Sequence, residues 1–215
     1  SYSASILNSL NDSTSGLITA TNVTAITGTA AQINTLVGNE GSSGDKIDLD
    51  NDYTATISDT DLDASVLNTL NGNVPGLVTA TSITNITGSA ADMATLMGNE
   101  GTTGDKINLN ATFTATVDSG SVAAADLNTI SAKTAGSITA TSLTAITGTA
   151  AAINTLVADE ADSGNGVNLD SNFLVTVSAG SASASHLNAI NAETSALVTA
   201  TSVSTITGTA AQLNT

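Results

Sequence analysis

A stretch reading LITATNVTAITGTAAQINTLV at positions 17–37 returns three times, always 60 residues further on. It reads LVTATSITNITGSAADMATLM from Leu77, SITATSLTAITGTAAAINTLV from Ser137, and LVTATSVSTITGTAAQLNT from Leu197. Gly28, Gly88, Gly148 and Gly208 are in register, as are Ala20, Ala80, Ala140 and Ala200. A unit that recurs without insertion is a supersecondary element that buries its apolar face on its neighbours, so this period constrains the fold more than any local pattern. The modules run 17–76, 77–136 and 137–196, with partial modules at 1–16 and 197–215. Because Ser1 falls inside a module, the start of the polypeptide is expected to lie upstream.

Each module holds a second, shorter unit: YTATISDTDLDASVLNTL from Tyr53, FTATVDSGSVAAADLNTI from Phe113, and FLVTVSAGSASASHLNAI from Phe173. A module is therefore two coils, one long and one short, and the chain holds about seven coils. Residues 17–21 alternate, with Ile18 and Ala20 to one side and Thr19 and Thr21 to the other, which predicts a strand. Val23 and Ile26 break the alternation as at a corner, and Thr27-Gly28-Thr29 supplies a turn and a helix N-cap. Ala30, Ile33, Leu36 and Val37 fall at helical spacing, so a helix over 30–37 is expected, closed by Gly38. The loop NEGSSGDKIDLDND follows, with a short strand at Ile47 and Leu49. The short coil then has a strand over 53–57, an acidic turn at 58–61, and a helix over roughly 63–70. Asp63 is its N-cap, and Asn71-Gly72 and Pro75 end it.

The fold predicted is α/β: a repeat solenoid with a parallel β-sheet and short helices, two coils per module. An all-β solenoid is the alternative if the Ala-rich segments are not helical. Equivalent strands are expected to stack at about 4.8 Å in one unbroken array, so that Ala20 and Ala80 lie over one another.

The chain has 19 Asp and Glu against three Lys (Lys46, Lys106, Lys133) and no Arg, a net charge of −16. Nucleic acid is excluded as a partner, because binding it needs cationic groups that displace counterions. An anionic membrane surface is disfavoured for the same reason. No run of about 18 apolar residues is present to span a bilayer. Aromatics are 2% of residues and Cys is absent, so neither a large aromatic core nor disulfides hold the chain together.

Four constellations stand out. Thr19/Thr21, Thr54/Thr56, Thr79/Thr81, Thr114/Thr116, Thr139/Thr141 and Thr199/Thr201 form a Thr-x-Thr ladder, interrupted where Leu174 precedes Thr176. Such outward rows resemble the ice-binding faces of β-solenoid antifreeze proteins; Thr also simply favours strands and pairs across them. Asp45, Asp48, Asp50 and Asp52 have the alternating oxygen donors of a calcium loop, although no glycine follows Asp52 and no glutamate takes the twelfth position. Glu40, Glu100 and Glu160 recur beside that loop and would favour bound cations. Asn8, Asn68, Asn128 and Asn188, with Asn34, Asn154 and Asn214, are expected to satisfy backbone groups at coil corners. Tyr53, Phe113 and Phe173 read as core. For catalysis nothing assembles: His186, the single histidine, stands where Ile6, Val66 and Asp126 stand in the other copies, so an enzyme is not expected.

The phrases ITGTAAxINTLV, GDKINLN and SASxLNAI resemble tandem repeats of very large secreted surface proteins of marine cyanobacteria and related bacteria. These include a swimming-associated surface protein and adhesins of haemolysin type, whose GGxGxD calcium nonapeptide is absent from this chain. The resemblance implies export, a place at the cell surface, and a stalk or filament that is part of a longer chain or associates with itself. Calcium is the one cofactor to consider.

Overall fold

The computed structural model describes residues 1–160 and 166–215. In chain order the first part holds β1 (Tyr2–Ser3), α1 (Ala4–Asn11), β2 (Ile18–Ala20), β3 (Ala25–Gly28) and α2 (Ala30–Gly38). β4 (Ile47–Leu49), β5 (Thr54–Ile57), β6 (Asp61–Asp63), α3 (Ala64–Asn73), β7 (Val78–Ala80), β8 (Asn85–Gly88) and α4 (Ala90–Asn99) follow. Next come β9 (Ile107–Leu109), β10 (Thr114–Val117), β11 (Gly120–Ala123), α5 (Ala124–Ser131), β12 (Ile138–Ala140), β13 (Leu143–Gly148) and α6 (Ala150–Glu160). The last are β14 (Val167–Leu169), β15 (Leu174–Val177), β16 (Gly180–Ser183), α7 (Ala184–Glu193), β17 (Val198–Thr199), β18 (Val203–Thr207) and α8 (Ala210–Leu213). The protein is thus α/β, with parallel sheets, eight short helices among the described residues and no closed barrel. The Ala-rich segments are helical, which sets the all-β alternative aside.

Two compact units are present, Ser1–Ile86 with Gly98–Asn110, and Thr87–Met97 with Ala111–Thr215. In the first, the stretch between α1 and α2 carries two strands and the stretch between α2 and α3 carries three. β2 pairs with β4 and β3 with β5, so the two-strand turn lies on the first two strands of the three-strand turn. β5 then pairs with β7, the first strand of the next two-strand turn, and β7 with β9. The sheet β1-β3-β5-β7-β9 results, all parallel.

The second unit obeys the same rule. β10 pairs with β12 and β11 with β13; β12 then pairs with β14 and β13 with β15; β15 pairs with β17 and β16 with β18. Register explains why. Ile18 lies beside Ile47 and Ile26 beside Ala55, 29 residues on, whereas Ala55 lies beside Val78, 23 residues on. Those two steps together fall eight residues short of the module, and eight is the spacing of adjacent strands within a turn, Ile18 to Ile26 or Ile47 to Ala55. Each module therefore shifts the sheet by one strand.

This corrects the expected unbroken array. Ala20 sits in the two-stranded β2–β4 sheet and Ala80 in the five-stranded sheet, so residues sixty apart do not share a column. What the sequence reading missed is β3 and β6, taken for a corner and a turn. Both are strands, of four and three residues.

Inward side chains fill the space between sheet and helices. Ile26, Ala55, Val78 and Ile107 form one in-register row and are fully buried. Ala30, Ile33 and Leu36 of α2 are buried too. Each such Ile, Leu or Val contributes roughly 1.5–3 kcal/mol on burial, and helices this short hold only because they dock in this way. Tyr53, Phe113 and Phe173 are buried, as their spacing suggested.

The caps match the sequence in part. Thr29 accepts from the Gln32 amide at 3.2 Å while the Gln32 side chain accepts from the Thr29 amide at 3.0 Å, a reciprocal capping box. Asp63 caps α3 by accepting from the Ser65 amide at 2.9 Å. Gly38 is the last helical residue and Asn39 the C-cap, and α3 runs through Gly72 to Asn73 before Val74 and Pro75 stop it. At Gly120 and Gly180 the parallel register slips by one residue, with φ of +135° and +122°. Thr60 occupies that position in the first module, where no residue but glycine takes positive φ, and β6 starts one residue later than β11 or β16.

Candidate functional site

The Thr residues are the largest polar array on the strands, but not in the ladder their spacing suggested. Thr21, Thr81, Thr141 and Thr201 lie in the turns after their strands and are exposed. Thr54 faces Ala25 across the sheet, and Leu174 faces Ala145, so no second column of Thr forms beside the first. What assembles is one column per sheet. In the first unit it reads Ser3, Thr27, Thr56, Thr79 and Asn108. In the second, Thr147, Thr176 and Thr199 adjoin, and Thr116, Thr139 and Asn168 make another row.

Thr56, Thr116 and Thr139 are exposed, Thr79 and Thr199 half-buried. Thr19 stands beside Asp48 rather than another Thr. Thr54 and Thr114 are half-buried, and Thr54 Oγ1 donates to the Thr24 carbonyl at 3.4 Å. Sequence reasoning missed Thr27 and Thr147, whose ITG motif was assigned to a turn. Their only signal was the apolar residue preceding each, Ile26 and Ile146.

The four aspartates of the acidic loop stand in different settings. Among the described residues no group of three or more His, Cys, Asp or Glu side chains converges on a point. Asp45 is exposed in the loop, whereas Asp48 lies in β4, half-buried. Asp50 closes a turn, its Oδ1 accepting from the Asp52 amide at 3.0 Å, and Asp170 repeats this with Asn172 at 3.2 Å. Hydrogen bonding from the Asp52 side chain and amide holds the Asp50 carboxyl below its ordinary range, and the same contact pushes Asp52 up.

The preceding residues fold back along β4. The Ile47 amide donates to the Asn39 carbonyl at 2.9 Å, and the Gly41 amide to the Ile47 carbonyl at 3.0 Å, with Glu40 bridging Ile47 in parallel. In the next copy Gly101 donates to Ile107 at 2.9 Å and Glu100 makes the bridge. The loop thus covers a strand edge left open by the shifting sheet, and puts an acid there. Lys46 Nζ reaches the Gly38 carbonyl at 3.1 Å, where a cation suits the end of α2. The third copy of this loop lies partly outside the described residues. At its start, burial pushes the Glu160 carboxyl up, a hydrogen bond from the Leu169 backbone opposes that, and Glu193 adds repulsion.

The asparagines sit on helices rather than at corners, save Asn214, the C-cap of α8. Nδ2 of Asn8 donates to the Gln32 carbonyl at 2.9 Å, that of Asn128 to Ala152 at 2.9 Å, and that of Asn188 to Gln212 at 3.0 Å. Each ties a helix to the one 24 residues further on, the same bond in both units. His186 is half-buried on α7. Tyr53, buried and near Glu40, has its phenol pushed up to about 12, first by desolvation and then by the carboxylate.

Among the described residues no helix is long and apolar enough to cross a membrane. Comparison with protein-family models, with curated proteins and with solved structures finds no match.

Proposed function

We propose that the chain is a structural segment, a β/α solenoid belonging to an extracellular filament, stalk or surface layer. The observation that supports this most is the sameness of the contacts between turns. The 29- and 23-residue register steps and the Asn-to-carbonyl helix ties recur in both units. Side chains whose position repeats are spent on joining one turn to the next, and length then scales with copy number. The likeness of its repeats to those of secreted surface proteins supports the extracellular placing. The test is a series of chains with one module removed or added. Stability must rise with each added module, whereas a melting temperature independent of module number contradicts the reading.

A second reading, a module that binds ice or another ordered surface, draws on the in-register rows Thr27–Thr56–Thr79 and Thr147–Thr176–Thr199. It predicts inhibition of ice recrystallisation that is lost on Thr56→Tyr together with Thr176→Tyr. Stiffening by calcium would draw on Asp45, Asp48, Asp50 and Asp52 and predicts a melting temperature raised by millimolar calcium but not magnesium.

A further inference from the structure

A cavity of about 450 Å³ lies between the end of α1 and the loop before β4, lined by Asn11, Asp12, Ser13, Thr14, Ser15 and Asp45. Each of these side chains carries an oxygen, and two are carboxylates. Asn11 is the buried member, 8% exposed, and its Oδ1 has no hydrogen-bond partner. A buried carbonyl oxygen left so is costly and calls for a donor or a cation. Ser13 Oγ donates to the Ser9 carbonyl at 2.7 Å, which commits its proton and leaves its lone pairs available. Asp12 is the C-cap of α1, whose last turn holds no basic residue, so its carboxylate adds to the negative end of that helix. α2 ends the opposite way, with Lys46 Nζ on the Gly38 carbonyl at 3.1 Å. Neither feature follows from where the chain starts. Both walls of the cavity are present, and Asn71, the inner counterpart of Asn11, is 7% exposed with the same unpartnered Oδ1.

We propose that this cavity binds one calcium ion, held by the carboxylates of Asp12 and Asp45 and by Oδ1 of Asn11, with hydroxyls and water completing the shell. All the donors are hard oxygens, the set that alkaline-earth ions take. Two negative charges match a divalent ion. An irregular set of donors drawn from two elements suits calcium, which tolerates flexible geometry, better than magnesium, which demands an octahedron. The bound ion ties the end of α1 to the loop of the turn that follows. The inference goes beyond the structural reading and does not rest on it, and it shares Asp45 alone with the calcium reading of the loop acids. The other copies lack the pair: Gly72 stands at the position of Asp12, and Lys133, a cation already in place, at that of Ser13. One ion per chain is therefore expected.

Nuclear magnetic resonance of the nitrogen-labelled chain tests this, with calcium chloride and magnesium chloride titrated separately into wild type, Asp12→Asn, Asp45→Asn and Asp50→Asn. Asp12 and Asp45 are exposed, so both variants should keep the fold, which the same spectra check. Calcium is expected to shift the Asn11 side-chain amide and the backbone amides of residues 12–15 and 45, saturating with a Kd of about a millimolar. Magnesium should bind about tenfold more weakly, and loss of either carboxylate should weaken calcium by about tenfold, since affinity follows the number of charged ligands. Asp50→Asn should bind as wild type does. Shifts that spread over all the acids without saturating, an Asp12→Asn variant that binds as wild type, or magnesium that binds as tightly as calcium overturns the proposal. If Asp50→Asn weakens binding and Asp12→Asn does not, the ion sits among the loop acids, and this inference fails while that reading stands.

Discussion

Between α1 and α2 the chain makes two strands; between α2 and α3 it makes three. The two turns share their first two strands almost residue for residue, Ile18 beside Ile47 and Ile26 beside Ala55. The third strand, β6 or its counterparts β11 and β16, is what the two-strand turn lacks. A two-strand turn can lie on the first pair or the last pair of its three-strand neighbours, and it does both, one on each side. The sheet must then step sideways once per module. A repeat exact in spacing therefore does not stack like on like, and on the edge that a step leaves open the residues Asn39 to Gly41 pair with Ile47.

The largest separation between the turns is expected in their cores. Phe113→Ala, at the base of a three-strand turn, removes a fully buried ring and should cost about 3–5 kcal/mol. Val23→Ala, in a two-strand turn and slightly exposed, should cost about 1–2 kcal/mol. Urea unfolding of both variants checks the difference, and equal costs would contradict it.

Next is the slip that starts the third strand. Gly120→Ala places a side chain at a φ of +135° and should cost about 1–3 kcal/mol, although open space surrounds the site. Thr60→Gly at the matching position should change stability by less, since that backbone does not need glycine. Thermal melts of the two read the contrast.

A smaller effect is expected where the two-strand turn begins. Thr194 Oγ1 donates to the Phe173 carbonyl at 2.6 Å and accepts from the Ala196 amide at 3.1 Å; Thr134 does the same with Phe113 and Gly136. Val74 stands there in the first module, and the Gly76 amide donates straight to the Tyr53 carbonyl at 3.1 Å. A Cβ on Gly76 would lie 2.8 Å from that oxygen, so only glycine permits the direct bond. Thr134→Val should therefore be tolerated, as Gly136 can move in, whereas Thr194→Val beside Ala196 should cost about 1–2 kcal/mol.

The smallest is Tyr53→Phe, which puts in the three-strand turn of the first module the residue found in the others. At neutral pH little should change. The phenol titrates at about 12 folded against 10.0 unfolded, so its contribution is whole below pH 10 and lost as pH rises to about 12. The variant should lose less stability than wild type across that window, as melts at pH 9 and pH 12 would read.

Much of this fold was legible in the sequence. The helices follow from Ala30, Ile33 and Leu36 at helical spacing, their starts from Thr29 and Asp63, and the aromatic core from one ring per module. β3 and β6 were not legible, because Ala25–Gly28 and Asp61–Asp63 are too short to display a period of two. The sideways step depends on which strand meets which, a long-range register that no local pattern records. For the site, Thr56, Thr79, Thr116, Thr139 and Thr199 were found in strands, but the neighbours that make their rows, Thr27 and Thr147, were hidden in the misread ITG segment. The acids of the loop were read by their oxygens, while the backbone of Asn39 and Gly41 does the pairing.

Cysteine cross-linking tests the stepped sheet most directly, because the chain has no cysteine of its own. Thr56 and Thr79 are neighbours across a parallel pair, about 4.8 Å apart, within reach of a disulfide. Thr19 and Thr79 are sixty residues apart and lie on different sheets. Under mild oxidation Thr56→Cys with Thr79→Cys should close a disulfide, and Thr19→Cys with Thr79→Cys should remain reduced. The reverse result, with the sixty-residue pair linked and the neighbouring pair not, would contradict the stepped sheet.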